Sequence, residues 1–424
     1  MNILIVSNES WRETNNGGNV LSNIFSSFED ANIAQIYCSG EQPENSVCQK
    51  YFQISDAMLV TKQKGRRLEE KDYSSSESDE TSDIEGKLKE RLTGFLREPA
   101  LLAREFLWTL FNFRTPELET FIKEFKPDVI FAPCYSYYHV SKLALYVKSI
   151  ADCPMISYIS DDNYSIRQFR FSPSFWINRL ITRKWIRRHF SQCSLVYTMT
   201  QLQKEEYEEL FGIRMKVLCK AADFSEQIKE PQSPIKIIYA GGLYLNRWKI
   251  LGKVAKALEV INQSHIKAQL HIYSASKLSE KQSEKLNDGR NSFLHGAVPY
   301  TQLKEKYDES DIAVHVESFD LKNRCITRLS FSTKIIDCMN SGCAILAIGP
   351  KSQAGIAYLK DNDAAVCIND TKSLLSTIDA FVSNPSLIKE YAQKANELGM
   401  KNHMKANIDK MLKEDFADVV NRLL

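Results

Sequence analysis

The residue types best suited to chemistry in this chain lie between Glu317 and Asp337. Ser332, Thr333 and Lys334 open a predicted helix, and hydroxyl groups with a lysine at a helix N-terminus suit a phosphate or diphosphate. Glu317 ends a predicted strand and Asp337 follows Lys334, and such carboxylates can accept hydrogen bonds from sugar hydroxyls. The structural alternatives are a helix cap formed by Ser332 and Thr333 and a solvated acid at Asp337.

A second candidate site follows the predicted strand Ile235–Ala240. Gly241–Gly242 form a turn there, and Arg247 and Lys249 stand before a helix that we expect to begin near Ile250. A cation just after a strand-to-helix turn can pair with a phosphate, and arginine can do so through two donors. The alternative is an arginine in solvent, and the residues further along the chain favour the phosphate.

A glycine pair also follows the first predicted strand. Gly17 and Gly18 lie between that strand and a predicted helix, where glycines let backbone N–H groups approach an anion. A tight turn without a ligand is the alternative. The GxGxxG pattern is absent, which disfavours a nicotinamide-dinucleotide site.

Strands that alternate with helices must position these residues, and the alternation occurs twice. The predicted strands of the first series are Asn2–Ser7, Ala34–Cys38, Lys126–Pro133, Met155–Ser160 and Leu195–Met199. Those of the second are Ile235–Ala240, Gln269–Tyr273, Ile312–Val316, Ala344–Ile348 and Ala365–Ile368. We therefore expect an α/β fold with two Rossmann-like domains, residues 1–224 and 225–404, whose parallel sheets are flanked by helices. Residues 405–424 are expected to form a helix that packs back on the first domain.

Composition excludes several classes of protein. The chain has 424 residues, 43% apolar and 25% charged, as in ordinary globular proteins and unlike disordered, collagenous or coiled-coil chains. Its net charge of +2 argues against a globally basic nucleic-acid binder. The ten cysteines form no CxxC pair and the seven histidines no HxxxH or HExxH pair, so we expect reduced thiols and no metal site.

The sequence shows no targeting pattern. We find no secretory leader and no run of 18 apolar residues, so a cytoplasmic protein is expected. Residues 72–86 are acidic and serine-rich, which is typical of a mobile loop. The segment Arg167–Arg188 carries seven basic residues and no acid, interleaved with aromatic and aliphatic residues. This pattern suits an anionic membrane surface or a lipid-linked acceptor, and equally a helix packed on the core, with nucleic acid a distant third.

The motifs resemble those of GT-B glycosyltransferases, of the family-4-like (group 1) retaining enzymes that build bacterial surface polysaccharides and glycolipids. The resemblance spans nearly the whole chain, is strongest over Ile235–Leu359 and is weak over Lys50–Phe125. Its elements are the glycine pair Gly17–Gly18, the turn Gly241–Gly242 with Arg247 and Lys249, the base-cupping stretch Gly296, Val298, Leu303, Tyr307, Asp311 and Ile312, and the closing segment Asp337–Ile348.

The resemblance implies two facing domains, with a nucleotide-sugar held mainly by the second and no cofactor or obligatory metal. Arg247, Lys249 and Lys334 would then neutralise the leaving diphosphate, and Glu317 and Asp337 would fix hydroxyls of the donor sugar and ribose. The donor site would also include Gly17, Gly18, Gly242, Val298, Ser332 and Thr333.

The sequence departs from the pattern of this group in places. The group has two glutamates eight positions apart, whereas here the second is Asp337 and the earlier position is Leu329. We expect Glu317 to replace the first glutamate, with Leu321–Arg328 as an insertion. Lys253 is an alternative to Lys249.

The first domain supplies three further candidates. Similar enzymes keep a histidine near the position of His139 that touches the donor sugar, and a structural histidine is the alternative. Asp161 and Asp162 end a predicted strand, where they can bind acceptor hydroxyls or assist deprotonation. Because adjacent residues of an extended segment point in opposite directions, at most one of them does so, and a turn with a helix cap is the alternative.

Together these features predict transfer of a sugar from a UDP- or GDP-sugar to a saccharide or lipid-linked acceptor, with retention, in surface polysaccharide or glycoconjugate synthesis. The protein would be cytoplasmic, with contact to the inner membrane surface through Arg167–Arg188. Two alternatives stay open: a nucleotide-sugar 2-epimerase-like isomerase, which makes product from the donor alone, and a non-catalytic GT-B subunit, for which Leu329 is the best support.

Overall fold

The computed structural model describes residues 1–14, 16–69, 96–168, 170–226 and 229–422. The chain forms two compact units: unit 1 comprises Met1–Leu218 and Asp409–Leu424, and unit 2 comprises Cys219–Ile408. The acidic loop predicted for residues 72–86 lies outside the described residues.

Unit 1 is built on an eight-stranded sheet. Its strands are β1 (Asn2–Ser7), β2 (Asn32–Tyr37), β3 (Lys50–Gln53), β4 (Arg66–Glu69), β5 (Val129–Pro133), β6 (Met155–Ile159), β7 (Leu195–Thr198) and β8 (Met215–Val217). Their order is β4-β3-β2-β1-β5-β6-β7-β8, and every neighbouring pair is parallel except β3 with β4. All residues of β5 and β6 are buried, which fits apolar strands covered on both faces.

Helices follow the strands of unit 1. They are α1 (Asn16–Phe25), α2 (Asp56–Val60), α3 (Arg97–Leu110), α4 (Pro116–Phe125), α5 (Tyr138–Ala151), α6 (Pro173–Phe190) and α7 (Gln201–Phe211). Sequence signals set several of their ends. Ser172 caps α6 and Thr200 caps α7 through their hydroxyls, proline opens α4 and α6, and Gly212 ends α7 in the left-handed conformation.

Unit 2 is built on a six-stranded, fully parallel sheet. Its strands are β9 (Ile235–Ala240), β10 (Ala268–Tyr273), β11 (Ser292–His295), β12 (Ile312–Val316), β13 (Ala344–Ile348) and β14 (Val366–Ile368), in the order β11-β10-β9-β12-β13-β14. Its helices are α8 (Arg247–Ile261), α9 (Glu280–Glu284), α10 (Tyr300–Asp308), α11 (Leu321–Thr327), α12 (Lys334–Met339), α13 (Ala354–Asp361), α14 (Leu374–Val382) and α15 (Pro385–His403). Helix α16 (Lys405–Asn421) begins in unit 2 and continues in unit 1.

The last helix, α16, belongs to unit 1 from Asp409 onward. There the ring of Phe416 packs edge-on against Phe25 and Phe28, and the hydroxyl of Tyr197 donates to the carboxylate of Asp415 at 2.8 Å. The C-terminal residues therefore complete the core of unit 1.

The predicted α/β architecture, parallel sheets flanked by helices in two series, is confirmed. Two predicted helix starts are wrong. Helix α1 begins at Asn16, so Gly17 and Gly18 lie in its first turn and not in the preceding loop. Helix α8 begins at Arg247, three residues before the expected Ile250, because the turn that precedes it is completed at Asn246. Among the described residues, no helix is long and apolar enough to cross a membrane.

Candidate functional site

The carboxyl edge of the second sheet brings together the main predicted site residues. Arg247 follows the loop after β9, Glu317 directly follows β12, and Lys334 opens α12. The strands β9 and β12 are neighbours and parallel, so their carboxyl ends meet at one edge of the sheet. This is the edge at which open α/β sheets bind ligands.

Arg247 and Glu317 form an ion pair at this edge. A guanidinium nitrogen of Arg247 donates to the Glu317 carboxylate at 3.1 Å, and the two side chains are only 11% and 9% exposed. The Nε of Arg247 meets no hydrogen-bond partner among the described residues. The sequence did not predict this pairing, which ties a phosphate candidate to a hydroxyl-binding candidate.

A buried network holds Glu317 in place. Its second carboxylate oxygen accepts a hydrogen bond from the hydroxyl of Thr327 at 3.3 Å, and that hydroxyl accepts one from the side-chain amide of Gln353 at 2.5 Å. Burial raises the pKa of Glu317 above its ordinary value, and attraction to Arg247 offsets this only in part. Because a charged carboxylate is costly to bury alone, Arg247 is the partner that favours its charged form.

His315 lies next to this pair and contributes no charge. Its Nε2 is 3.7 Å from the Glu317 carboxylate, and the ring is buried. Burial and repulsion from Arg247 and Lys334 lower the pKa of His315 to about 3. The imidazole is therefore neutral near pH 7, and it lines the site as an uncharged polar group.

The ammonium group of Lys334 lies against the backbone of Gly241. A Cβ atom at position 241 would stand 2.0 Å from Nζ, so the close approach depends on glycine. Lys334 makes no ion pair within the described part of the chain, and burial together with repulsion from Arg247 lowers its pKa. The cluster thus holds two cations and one carboxylate, all partly removed from water.

Asp337, Ser332 and Thr333 lie beside Lys334 in different settings. The carboxylate of Asp337 pairs with the ammonium of Lys220 at 2.6 Å, a partner that the sequence did not reveal. Thr333 occupies the N-cap position of α12, yet its side chain makes no capping hydrogen bond. Because α12 spans only six residues, the positive charge of this edge comes from side chains and not from the helix dipole.

Other predicted donor residues of unit 2 lie further from the ion pair. Lys249 and its alternative Lys253 are exposed on α8, and no described contact joins either to Arg247 or Glu317. Val298 is half-buried in the loop after β11. At Gly242 a Cβ would stand 2.1 Å from the ring of Tyr244, which folds back over this turn.

Leu329, the position of the usual first glutamate, is fully buried. A carboxylate could not replace it without losing core packing. Glu317 presents its carboxylate at this edge of the sheet, and its replacement of the usual first glutamate stays a prediction.

In unit 1 Gly18 has a packing role. A Cβ on Gly18 would stand 1.8 Å from the carbonyl oxygen of Arg12, so the chain after β1 passes too close for any larger residue. The position of both glycines in the first turn of α1 corrects only their predicted place in a loop before the helix, and donor binding by Gly17 and Gly18 stays a prediction.

His139 sits in the first turn of α5 and has no exposed surface. Glu105 on α3 binds it twice, through Nδ1 at 2.6 Å and through the backbone N–H at 3.0 Å, and the ring of Trp108 stacks on the imidazole at 4.5 Å. The Nε2 atom meets no partner among the described residues. These contacts account for a structural histidine, and its contact with a donor sugar stays a prediction.

The two neighbouring acids of unit 1 have different surroundings. The carboxylate of Asp162 is buried and accepts hydrogen bonds from the backbone N–H of Ser165 at 2.8 Å and the hydroxyl of Tyr207 at 3.0 Å, with Arg179 at 3.9 Å. These contacts account for the turn alternative at Asp162, and acceptor binding by Asp162 stays a prediction. Asp161 is exposed at the end of β6, where acceptor binding stays a prediction.

The basic segment Arg167–Arg188 has one side buried in the core and one side exposed to solvent. One side of α6 enters the core, where Arg179 donates to the backbone carbonyl of Asp162 at 2.6 Å. The other side exposes Ile177 and Leu180, and Phe171 just before the helix is 88% exposed. The basic residues exposed with them are Arg167, Lys184, Arg187 and Arg188.

Known structures share the fold of the chain. HepE from Anabaena, in complex with UDP and glucose, is 13% identical, covers 99% of this chain and 100% of its own, and has a TM-score of 0.60. Sucrose-phosphate synthase from Thermosynechococcus elongatus is 10% identical over 100% of both chains, with a TM-score of 0.62. The α,α-trehalose 6-phosphate synthase from Burkholderia multivorans is 10% identical over 100% of both chains, with a TM-score of 0.60.

These matches confirm the GT-B fold. No protein-family model and no curated protein matches the sequence. At 10 to 13% identity the shared property is the fold, and the chemistry of this chain must be argued from its own residues.

Proposed function

We propose that this chain transfers a sugar from a nucleoside diphosphate-sugar to a saccharide or lipid-linked acceptor. The observation that carries the proposal is the cluster of Arg247, Lys334 and Glu317 at the carboxyl edge of the second sheet of a GT-B fold. Two cations with one carboxylate leave an excess of positive charge in a partly buried place. An anion with several oxygen acceptors is the ligand that stabilises such an arrangement.

The chemistry that follows is stabilisation of a leaving diphosphate. When the bond between the sugar and the diphosphate breaks, negative charge grows on the departing oxygen. Arg247 is already held in place by Glu317, and the ammonium of Lys334 lies beside Gly241, so both cations stand close to where this charge develops. Donors of this kind contribute about 3 kcal/mol each to the stability of a transition state. The proposal therefore requires no metal ion.

The donor that we test first is UDP-glucose, with GDP-sugars as the second class. HepE, which shares the fold, is known in complexes with UDP, with UDP and glucose, and with UDP-glucose. We further propose that transfer occurs with retention and serves surface polysaccharide or glycoconjugate synthesis, as the sequence resemblance implies.

A ligand panel tests the proposal. Thermal unfolding is measured with UDP, GDP, ADP, CMP, NAD and a short RNA, each with and without EDTA, since a ligand of the native state must raise its melting temperature. We expect a shift with UDP or GDP that EDTA does not change. A shift with NAD or RNA alone would contradict the proposal, and loss of the shift in EDTA would contradict metal independence.

Product analysis then separates transfer from isomerisation. The protein is incubated with the donor that it binds, alone and with a set of saccharide and lipid-linked acceptors. A new glycoside that forms only with an acceptor supports transfer. If its anomeric configuration is the same as that of the donor, the transfer occurs with retention. An altered sugar released from the donor alone would instead identify an isomerase, and binding without turnover a non-catalytic subunit.

The exposed side of α6 supports a further part of the proposal, contact with an anionic membrane surface. Exposed Phe171, Ile177 and Leu180 alternate with exposed arginine and lysine, the pattern of helices that lie in the lipid headgroup region. We expect co-sedimentation with vesicles that contain anionic lipid and little with zwitterionic vesicles. Substitution of Phe171 and Leu180 by serine should abolish it, and equal binding to both vesicle types would refute it.

A further inference from the structure

We propose that Asp320 is a positioning residue for the donor site: it holds Asn246, and through Asn246 it fixes where the guanidinium of Arg247 stands. The inference concerns the loop between β9 and α8, residues 241–246. It rests on the proposed function only where it concerns diphosphate binding, because the positioning itself is a property of this loop.

The end of this loop has an unfavourable backbone conformation. Leu245 has a φ of 57° and Asn246 a φ of 62°, so two successive residues that are not glycine occupy the left-handed region. L-residues avoid this region, leucine more than asparagine, and two in a row are uncommon. Such a backbone conformation is kept only where contacts with the surrounding structure stabilise it, and residues of this kind cluster at ligand sites.

Asp320 supplies the contact that holds the loop end. Its carboxylate accepts from the side-chain amide of Asn246 at 3.1 Å, and from the backbone and side-chain nitrogens of Asn323 at 3.0 and 2.8 Å. The hydroxyl of Ser318 donates to it as well. Although burial raises the pKa of Asp320, hydrogen bonds from Ser318, Asn246 and Asn323 outweigh it and bring the pKa to about 2. Asp320 is thus an anion that holds the end of this loop through its hydrogen bond with Asn246.

The segment after β12 binds two consecutive residues of the proposed donor site. Asp320 accepts a hydrogen bond from the side chain of Asn246, and Glu317, three residues earlier, accepts one from the guanidinium of Arg247. Asn246 does not cap α8 with its side chain, although it occupies the N-cap position. Its amide is used across the site instead, which is why we assign it a positioning role and not a helix-capping one.

The other end of the loop is held independently. The backbone N–H of Leu243 donates to the hydroxyl of Ser276 at 2.9 Å, and the hydroxyl of Tyr239 donates to the carbonyl of Gly242 at 2.7 Å. These bonds fix the turn beside Lys334 and leave the residues next to Arg247 to Asp320. Loss of the Asn246 contact should therefore move Arg247 more than Lys334.

Two substitutions at position 246 separate the hydrogen bond from the backbone conformation. Glycine adopts the left-handed region freely, so Asn246→Gly removes the bond without adding strain. Asn246→Asp tolerates the same backbone but places a carboxylate against Asp320. Asp363→Gly is the matched control: Asp363 has a φ of 51° and accepts hydrogen bonds from Tyr391 and Lys394, away from the site.

Affinities for UDP and for uridine are measured by calorimetry, with melting temperatures alongside. We expect Asn246→Gly to lower the affinity for UDP about tenfold and Asn246→Asp to lower it further, with the affinity for uridine unchanged in both. Asp363→Gly should leave both affinities unchanged. Wild-type affinity for UDP in Asn246→Gly would overturn the proposal, as would an equal loss for uridine, because either result removes the link between the bond and the diphosphate.

A crystal structure of Asn246→Gly separates failure of this inference from failure of the proposed function. If the wild-type protein binds no nucleoside diphosphate, the proposed function falls, and the structure still reports the position of Arg247. Displacement of its guanidinium from the 3.1 Å contact with Glu317 supports the positioning role. An unmoved guanidinium overturns it.

Discussion

Replacement of Lys334 by methionine should weaken diphosphate binding and stabilise the protein at the same time. Methionine fills nearly the same volume beside Gly241 and lacks the charge. In the free protein that charge is unfavourable, because burial and repulsion from Arg247 lower the pKa of Lys334. The melting temperature of Lys334→Met should therefore rise.

The expected loss of affinity follows from the contact that disappears. A hydrogen bond between an ammonium and an anion contributes about 1.5–3 kcal/mol, which corresponds to a loss of about 10- to 150-fold. Arg247 remains and keeps part of the binding, so complete loss is not expected. Uridine carries no phosphate, and its affinity should change less than twofold.

Calorimetric titration of UDP and uridine into wild-type protein, Lys334→Met and Lys249→Met checks this. Lys249 lies on the exposed side of α8, so its variant measures the effect of removing one nearby charge without the proposed contact. We expect Lys249→Met to cost less than threefold for UDP. If Lys334→Met loses uridine and UDP equally, or if its melting temperature falls by several degrees, Lys334 has a structural role and the reasoning is refuted.

Three further predictions concern protons and a buried carboxylate. Burial lowers the pKa of Lys334, and a bound diphosphate should raise it again. UDP binding should therefore be accompanied by proton uptake as the pH approaches the ordinary lysine pKa of about 10.4. Calorimetry in two buffers of different ionisation enthalpy should detect this uptake in wild-type protein but not in Lys334→Met. Burial lowers the pKa of His189 to about 4, so its contribution to stability is present above about pH 6.5 and is lost as the pH falls. Between pH 7 and pH 5 the free energy of unfolding, measured by denaturant titration, should fall by about 2 kcal/mol less in His189→Gln than in wild-type protein. Asp162→Asn should lower stability by about 1–3 kcal/mol, because the buried carboxylate meets several donors. If the structural role is the whole role of Asp162, the KM for the acceptor should stay unchanged, and a raised KM would identify Asp162 as an acceptor ligand.

The sequence predicted the strands that carry a strong apolar signal. Ile312–Val316 and Ala344–Ile348 were located with their observed bounds, because both are uniformly buried central strands with breakers at each end. Four short strands were missed: Lys50–Gln53, Arg66–Glu69, Met215–Val217 and Ser292–His295. Each has only three or four residues of mixed polarity. The last three lie at the edges of their sheets, where polar residues are tolerated and periodicity is weak.

The position of the candidate residues at one edge of the sheet was predictable, but their pairings were not. Parallel strands bring their carboxyl ends to one edge, so Arg247, Glu317 and Lys334 could be placed together from their positions after predicted strands. The partners could not be read in the same way. Arg247 and Glu317 are 70 positions apart and Lys220 and Asp337 are 117 apart, and no local pattern encodes contacts of such separation.

The pairing of Glu317 with Arg247 does not exclude the hydroxyl-binding role that the sequence resemblance implies. A carboxylate has about four lone-pair sites, and in the structure Arg247 and Thr327 each occupy one. A buried guanidinium without a counter-charge would be strongly destabilised, so Glu317 must stabilise Arg247 while no anion is bound. In the proposed function a bound diphosphate would take over part of that task, and the carboxylate would keep the acceptor sites that a sugar hydroxyl needs. One residue can thus hold the cation ready before the donor binds and hold the donor sugar afterwards.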